Sequence, residues 1–169
     1  MKKLLFTLLC LAGVSAQAQT CLTTVPSTTP TSNFTDNLDG TITDLTTGLT
    51  WMTCSVGQTY DTTNLTCTGE ATQFTWEEAL ETAYGYEYAN SSAWRVPNVK
   101  ELTSITERSC VRPSINETIF PATPSDDYWT STPSLRSLGD IWVVAFFNSS
   151  NSLKPRESSV FLRLVRPTS

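Results

Sequence analysis

The chain lacks the residues on which much enzymatic catalysis depends. It contains no histidine among its 169 residues, so a Ser-His-Asp or Cys-His arrangement is impossible. Its sixteen acidic residues include the carboxylates that glycoside hydrolysis needs, but nothing in their spacing singles out a pair. The residues favour a non-catalytic protein, with a glycoside hydrolase as the enzymatic alternative.

The cysteines predict a covalent framework instead. Beyond Cys10, which lies in an apolar N-terminal segment, Cys21, Cys54, Cys67 and Cys110 allow three disulfide connectivities. The stretch from Cys54 to Cys67 is short, polar and rich in turn residues, which favours a local bond and leaves Cys21 with Cys110. A zinc site is the alternative, disfavoured because CxxC spacing and histidine are both missing.

Oxygen ligands for calcium occur near the start of the chain. Asp36, Asn37, Asp39 and Asp44 are of the right type, but Thr35 takes the first ligand position of an EF-hand and no glutamate follows at the twelfth. A hairpin turn accounts for the same residues. No cofactor is therefore expected, and calcium at Asp36, Asp39 and Asp44 remains the alternative.

A third set of residues has the chemistry of ligand binding. Two polar loops are expected late in the chain, where binding residues gather on a rigid scaffold. Guanidinium and ammonium groups there suit sulfate or carboxylate groups, and a tryptophan beside two aspartates is expected at a surface edge. The candidate ligand-binding residues are Trp129, Arg136, Asn148, Asn151, Lys154 and Arg156. Solvated loop charges are the alternative.

The other tryptophans are expected to be structural. Trp51, Trp76 and Trp142 are assigned to the core. Trp94 and Arg95 are expected to pack under a turn, with the arginine bonding carbonyls or a carboxylate. Ligand contact by that pair is the alternative.

The N-terminus has the three parts of a secretory signal. Lys2 and Lys3 precede an apolar run from Leu4 to Val14, and residues 16–18 give a small-x-small cleavage pattern. The run is shorter than the roughly 20 residues that span a bilayer. Residues 1–18 are therefore predicted to be a signal peptide, and the protein is expected to be exported, to be periplasmic, secreted or at the cell surface.

Charge argues against one class of partner. Removal of Lys2 and Lys3 leaves nine basic and sixteen acidic residues, a net charge of −7. Residues 19–94 contain nine acidic residues and no lysine or arginine. A nucleic-acid partner is disfavoured because phosphate binding needs concentrated positive charge.

Helix and hairpin signals organise the mature chain. Residues 19–33, rich in Thr, Ser and Pro, predict an extended lead-in, and the domain is expected over residues 34–169. Asp39-Gly40 predicts a two-residue hairpin loop of type I′. Thr75 and Glu78 predict a capping box on a first helix, and Asn98 is expected to cap a second.

The apolar face of the first helix is expected at Trp76, Ala79, Leu80 and Ala83. Later strands are predicted at residues 128–131, 141–147 and 160–165, with a polar loop over residues 148–159 between the last two. Strands followed by two helices and further strands predict an α+β domain with an antiparallel sheet.

Several ordered motifs together resemble one bacterial family. They are residues 34–44 with 47–51, Trp76 with Ala79, residues 94–98 with Glu101-Leu102, residues 113–116 with Phe120-Pro121, residues 128–132, and residues 163–166. Over residues 34–166 the chain resembles the Lcl C-terminal domain family, named for a collagen-like adhesin. Leu38 departs from the glycine that the family usually has there.

The resemblance implies a single C-type lectin-like α+β domain, with two helices, long loops and an antiparallel sheet that brings the chain ends together. One member type binds sulfated polysaccharides as an adhesin. The resemblance thus implies a binding module for polysaccharide or another surface ligand, and the net negative charge disfavours a sulfated one. A structural or protein-interaction module of a cell-envelope assembly is the alternative.

Overall fold

The structure is a computed structural model that describes residues 18–168. The predicted signal peptide lies outside the described residues, apart from Ala18. Within the described range the chain forms short strands, two helices and a 3₁₀ turn at Thr31–Asn33. The helices are α1 (Trp76–Ala83) and α2 (Val99–Ser104). The strands are β1 (Thr20–Cys21), β2 (Phe34–Asp36), β3 (Thr41–Asp44), β4 (Leu49–Met52), β5 (Thr59–Asp61), β6 (Thr66–Thr68), β7 (Gln73–Phe74), β8 (Cys110–Val111), β9 (Asp127–Pro133), β10 (Asp140–Ala145), β11 (Ser150–Pro155), β12 (Val160–Phe161) and β13 (Val165–Pro167).

Two larger sheets form the body of the domain. One has five strands in the order β11-β10-β9-β12-β7, and the other has four in the order β13-β4-β3-β2. Strands β1 with β8 and β5 with β6 form two small ribbons. The described pairs are antiparallel except that of β12 with β9. The predicted α+β class is confirmed at the level of a mostly-sheet domain with two helices and two disulfides.

Both helices begin as predicted. The Thr75 side chain accepts from Glu78 N–H, and the Glu78 carboxylate accepts from Thr75 N–H at 2.8 Å. Asn98 and Glu101 make the same reciprocal pair at the start of α2. These boxes satisfy N–H groups that have no partner within a helix.

The first hairpin differs from the prediction. Asn37 N–H donates to Thr41 O at 3.0 Å, so three residues rather than two form the loop. Positive φ falls on Leu38 (61°) and Gly40 (84°). A type I′ turn at Asp39-Gly40 needs positive φ at both Asp39 and Gly40, and Asp39 does not have it. The predicted type I′ loop is therefore wrong.

The end of the chain is also organised differently. The predicted strand over residues 160–165 is two strands, and they belong to different sheets. The predicted loop over residues 148–159 contains β11, which pairs with β10 along its whole length. The residues of β11 are exposed except Lys154. The strand has no buried face, and its polar sequence lacks the apolar alternation of a half-buried strand.

Buried residues form two clusters, one on each side of β9 and β10. Trp129 and Val143 belong to a cluster with Ala79 and Ala83 of α1. Tyr128 and Val144, their neighbours in sequence, belong to a cluster with Leu102 of α2 and other residues. Because neighbouring residues of a strand point to opposite faces, both faces of these strands are buried.

A buried arginine fixes the segment between β12 and β13 to the end of β4 and to a loop residue, Thr123. Arg163 is fully buried and donates to the carbonyls of Met52 and Thr53 and to the Thr123 hydroxyl. Its guanidinium lies 4.9 Å from the centre of the Phe120 ring. Burial lowers the pKa of Arg163 to about 10, which leaves it charged at neutral pH.

Two disulfides hold the lead-in and one hairpin. Cys21 is bonded to Cys110 and Cys54 to Cys67, so the predicted pairing is confirmed. The lead-in also contacts the Glu107 carboxylate, which accepts hydrogen bonds from Thr28 N–H and Thr29 N–H. No helix within residues 18–168 is long and apolar enough to cross a membrane.

Candidate functional site

An open groove runs between the end of α1 and the start of α2. Its volume is about 390 Å³, and it is lined by Leu80, Ala83, Tyr84, Arg95, Asn98, Glu101 and Ser131. The groove that these residues line is named the α1 groove. The buried residues Trp94 and Val96 also line it, so rigid core supports its inner surface.

Tyr84 forms one wall of the α1 groove. It is the residue at which α1 ends, where its N–H donates to Leu80 O at 3.0 Å. Its side chain is 91% exposed, although an aromatic ring of this size usually buries most of its surface. Leu80, predicted to face the core, is exposed beside it at 36%, so that prediction is wrong.

An ion pair forms the polar side of the groove. Arg95 donates two hydrogen bonds to the Glu101 carboxylate, at 2.7 and 2.8 Å. The hydrogen bond from Arg95 is the main cause that lowers the pKa of Glu101, and the hydrogen bond to Glu101 raises the pKa of Arg95. The pair thus stays ionised at neutral pH. This geometry confirms the prediction that Arg95 bonds a carboxylate.

Contacts on the side away from solvent hold Trp94 and Arg95 at the base of the groove. Trp94 donates through Nε1 to Tyr88 O at 3.0 Å, and the Arg166 guanidinium lies 5.3 Å from the centre of a Trp94 ring. Arg95 N–H donates to Val165 O at 2.9 Å. The backbone and ring that position Arg95 are therefore held by β13.

Two polar groups of the groove remain free for a ligand. Asn98 Oδ1 accepts from the N–H groups of Lys100 and Glu101, but its Nδ2 has no protein acceptor among the described residues. The Ser131 hydroxyl likewise has no protein partner there, while its N–H donates to Pro97 O at 2.8 Å. The α1 groove thus combines an aromatic ring, two polar groups without a protein partner and one paired carboxylate.

The late-chain candidates do not form a single site. Trp129 is fully buried and donates through Nε1 to Phe74 O at 2.7 Å, so the expected surface position is wrong. The two aspartates before it suggested an edge, but β9 is covered on both faces. Trp142, expected in the core, is only partly buried and lines a different groove.

That second groove, of about 510 Å³, is called the loop groove. It is lined by Thr132, Pro133, Ser134, Leu135, Arg136, Trp142 and Leu153. Leu135 is 96% exposed, and Leu138 in the same loop is 93% exposed. Among the six late-chain candidates, only Arg136 lines this groove.

The other candidates are separated or occupied. Lys154 forms an ion pair with Asp127 at 2.8 Å, and its hydrogen bond to that residue raises the pKa of Lys154. Arg156 lies 3.8 Å from Glu157 and donates to Leu138 O. Neither side chain lines the loop groove.

The two late asparagines also make local contacts. Asn148 accepts from Ser150 N–H at 3.0 Å, within the turn before β11. Asn151 accepts from the Thr103 hydroxyl of α2. The structure therefore does not bring the six candidates together.

The three candidate calcium ligands are also apart. Asp36 pairs with Ile42 at one end of the first hairpin, whereas Asp44 pairs with Phe34 at the other. Each carboxylate accepts hydrogen bonds from nearby turn groups, as Asp39 does from Thr41. Within residues 18–168 no group of three or more metal-ligating His, Cys, Asp or Glu side chains is present.

Tyr84 was absent from the candidates predicted from sequence. One signal was available: Tyr84 follows the last turn of α1 and precedes Gly85, whose φ is +76°. A large aromatic at a helix end, four residues after exposed Leu80, extends beyond the buried stripe formed by Ala79 and Ala83. Its closeness to Arg95 depends on how α1 and the segment before α2 pack, which sequence spacing does not give.

Comparison with known proteins supports the family resemblance. No curated protein matches the chain. The family model of the Lcl C-terminal domain matches residues 40–166. That range covers most of the chain and includes both helices, the five-stranded sheet and the α1 groove. The chain therefore belongs to the Lcl C-terminal domain family.

Proposed function

We propose that the protein is an exported, non-catalytic binding module that recognises a polysaccharide in the α1 groove. One observation carries the proposal: the Tyr84 ring, 91% exposed, stands beside donors without protein partners. An exposed aromatic face packs against the C–H face of a sugar ring, and planar polar groups hydrogen-bond its hydroxyls. The Asn98 amide is such a group, and the Ser131 hydroxyl is a further hydrogen-bonding group.

The charges of the groove favour a neutral or weakly charged glycan. Its lining contains one guanidinium and one carboxylate, and these are paired. A strongly sulfated chain would need unpaired cations, and the net charge of −7 that remains without residues 1–18 would repel it. Specificity would come from hydroxyl geometry rather than from charge.

The groove also supports a non-catalytic role. Glycoside hydrolysis uses two carboxyl groups roughly 5 to 10 Å apart. Among the residues that line the α1 groove, only Glu101 has a carboxylate, and its ion pair with Arg95 keeps it deprotonated. A deprotonated carboxylate cannot act as the general acid.

We further propose that the domain is C-type lectin-like and resides outside the cytoplasm. Strands β2 and β13, from the two ends of the domain, belong to one four-stranded sheet, as that fold requires. Two disulfides suit an oxidising compartment, in agreement with the predicted signal peptide.

Binding of the oxidised mature protein, residues 19–169, to a panel of neutral and sulfated polysaccharides tests this function. We expect binding to a neutral glycan that changes little with salt or calcium. Tyr84→Ala should weaken it about fivefold, since an aromatic contact of this kind is worth about 1 kcal/mol. Because Tyr84 is exposed, the variant should fold normally.

Phe147→Ala is the matched control. That ring is also exposed, at 42%, and does not line the α1 groove, so its removal should leave glycan affinity unchanged. Equal loss in both variants would count against the groove. Calcium-dependent binding that Asp39→Asn abolishes would move the site to the first hairpin, and no binding to the panel would reject the proposal.

One observation favours a protein partner as a second function. Leu135 and Leu138 are almost fully exposed next to the loop groove, and exposed apolar groups of this kind mark interaction surfaces. A structural or protein-interaction role in a cell-envelope assembly would use this surface rather than the α1 groove.

A further inference from the structure

Strand β11 is an exposed edge of the five-stranded sheet. Within residues 18–168 it pairs with β10 on one side and with no strand on the other. Its six residues are exposed except Lys154. An edge strand of this length presents a row of backbone donors and acceptors that another strand can use.

The hydrogen-bonding pattern between β10 and β11 shows which backbone groups of β11 point away from β10. Arg156 N–H donates to Gly139 O at 3.0 Å, which makes that pair hydrogen-bonded. Hydrogen-bonded and non-hydrogen-bonded pairs alternate along an antiparallel ladder. Residues 154 and 152 therefore bond to β10, and Asn151 and Leu153 direct their N–H and C=O groups away from it.

The usual protection of an edge is weak here. Lysine and proline commonly guard edge strands. Lys154, however, is held by the Asp127 carboxylate at 2.8 Å, and Pro155 is the last residue of the strand. The stretch from Ser150 to Leu153 is left open.

The loop groove lies beside this open edge. Leu153 pairs with Trp142, and both line the groove with Leu135 and Arg136. A strand added next to β11 would place the side chain opposite Leu153 on the same face, against this apolar surface. The Arg136 side chain lines the same groove as Leu153 and has no carboxylate partner within residues 18–168.

Charge distinguishes between two occupants. A second copy paired symmetrically at Leu153 would bring the Arg136 side chains of both copies together, and like charges across a sheet are destabilising. A different chain with carboxylates next to its apolar residue would complement Arg136 instead.

We propose that β11 accepts an extended segment of a partner protein as an additional strand. The segment has an apolar residue opposite Leu153 and at least one acidic residue within reach of Arg136. Backbone bonds to Asn151 and Leu153 supply affinity, and the loop groove supplies sequence preference. This surface is separate from the α1 groove, so the inference does not depend on glycan binding.

Selection from a displayed library of random peptides, with the oxidised mature protein as bait, tests the proposal. We expect enriched peptides with alternating apolar positions and acidic residues. Leu153→Pro removes an outward N–H without removing a bond to β10, and it should weaken an enriched peptide by at least about tenfold. Leu153→Ala retains the N–H group and separates the side-chain contribution.

Arg136→Glu should weaken the same peptide by a similar factor, whereas Arg112→Glu, a matched charge reversal at an exposed residue that does not line the loop groove, should not. Tyr84→Ala should also leave peptide affinity unchanged. Peptides that bind Leu153→Pro as tightly as the original chain, or a library that yields no binder, would overturn the proposal. So would a dimer in solution that Leu153→Pro dissociates, because it would identify a second copy as the occupant.

Discussion

At the scale of single residues, Leu38 stores conformational strain. Its φ is 61°, in the left-handed region that costs a residue with a Cβ about 1–2 kcal/mol. Its side chain is 68% exposed, so little packing offsets that cost. Glycine, which the family usually has here, adopts this conformation freely.

Leu38→Gly should therefore stabilise the protein by about 0.5–1 kcal/mol, after the larger entropy of an unfolded glycine is subtracted. Urea unfolding of the oxidised protein measures the change. Leu45→Gly is the control, since Leu45 is also exposed, at 61%, but has no positive φ. It should destabilise the protein, and stabilisation by both substitutions would contradict the explanation.

Glu107 anchors the lead-in through its carboxylate. The side chain is 3% exposed and accepts from the Ser27 hydroxyl at 2.5 Å and from Thr28 N–H, Thr29 N–H and Ser109 N–H. Burial alone would raise the pKa of Glu107, but these hydrogen bonds outweigh it and hold the pKa far below its usual range.

A depressed folded-state pKa makes this stabilisation depend on pH. The contribution is complete above the unfolded pKa of about 4.3 and is lost as the pH falls below it. Glu107→Gln should cost about 2–4 kcal/mol at pH 7 and should flatten the loss of stability between about pH 4.5 and 2. Unfolding curves across this range measure both effects. An unchanged pH profile in the variant would show that other carboxylates cause the acid sensitivity.

Residue roles were predictable where local spacing defines them. The pairs Thr75–Glu78 and Asn98–Glu101 are three residues apart, and a capping box needs only that spacing. Trp129 was predicted at the surface but is buried. Trp142 was predicted in the core but is only partly buried. Their strands are apolar on both faces, and the register shifts between Ile141 and Val143, so alternation does not give their orientation.

At the scale of elements, helix α1 depends on its capping box. Eight residues form too short a helix to be stable alone in water. Thr75→Ala removes the hydroxyl that accepts from Glu78 N–H, and it should cost about 1 kcal/mol.

Because α1 contains Leu80 and is followed directly by Tyr84, its destabilisation should also raise hydrogen exchange at the α1 groove. Thr62→Ala, at an exposed position outside helices and strands, is the control and should change stability little. Equal exchange at α1 in Thr75→Ala and the original chain would show that tertiary packing alone holds the helix.

Elements were predictable where their pattern is local and apolar. Both helices were predicted from their caps and from apolar periodicity. Strand β11 was missed because its sequence, Ser-Asn-Ser-Leu-Lys-Pro, has neither the alternation nor the β-branched residues of a strand. It forms because the preceding turn, with Ser149 at a φ of 62°, folds it onto β10.

At the scale of the whole molecule, the two disulfides should contribute unequally. Cys21 and Cys110 are 89 residues apart, whereas Cys54 and Cys67 are 13 apart. Loop-closure entropy gives about 4.5 kcal/mol for the long loop and about 3 kcal/mol for the short one. Loss of the long-range bond also releases the lead-in from β8.

The double variant Cys21→Ser/Cys110→Ser should therefore lower the free energy of unfolding more than Cys54→Ser/Cys67→Ser does. Chemical denaturation of the two variants beside the original chain gives the comparison. The reverse order would show that native contacts around Cys54 and Cys67 outweigh the loop entropy.

The class of fold and the family were predictable from the sequence because their motifs extend over most of the chain. The α1 groove could not be predicted in this way. Tyr84, Asn98 and Ser131 come from three separate segments, and only the packing of α1 and β9 around the segment before α2 brings them together.

The central claim is that a glycan binds in the α1 groove, and chemical-shift mapping tests it most directly. The amide spectrum of the oxidised mature protein is recorded while the glycan selected from the panel is titrated. We predict shifts concentrated at Leu80, Tyr84, Asn98 and Ser131, and their loss in Tyr84→Ala. Shifts concentrated instead on β11 and the loop groove, or on the first hairpin, would contradict the claim.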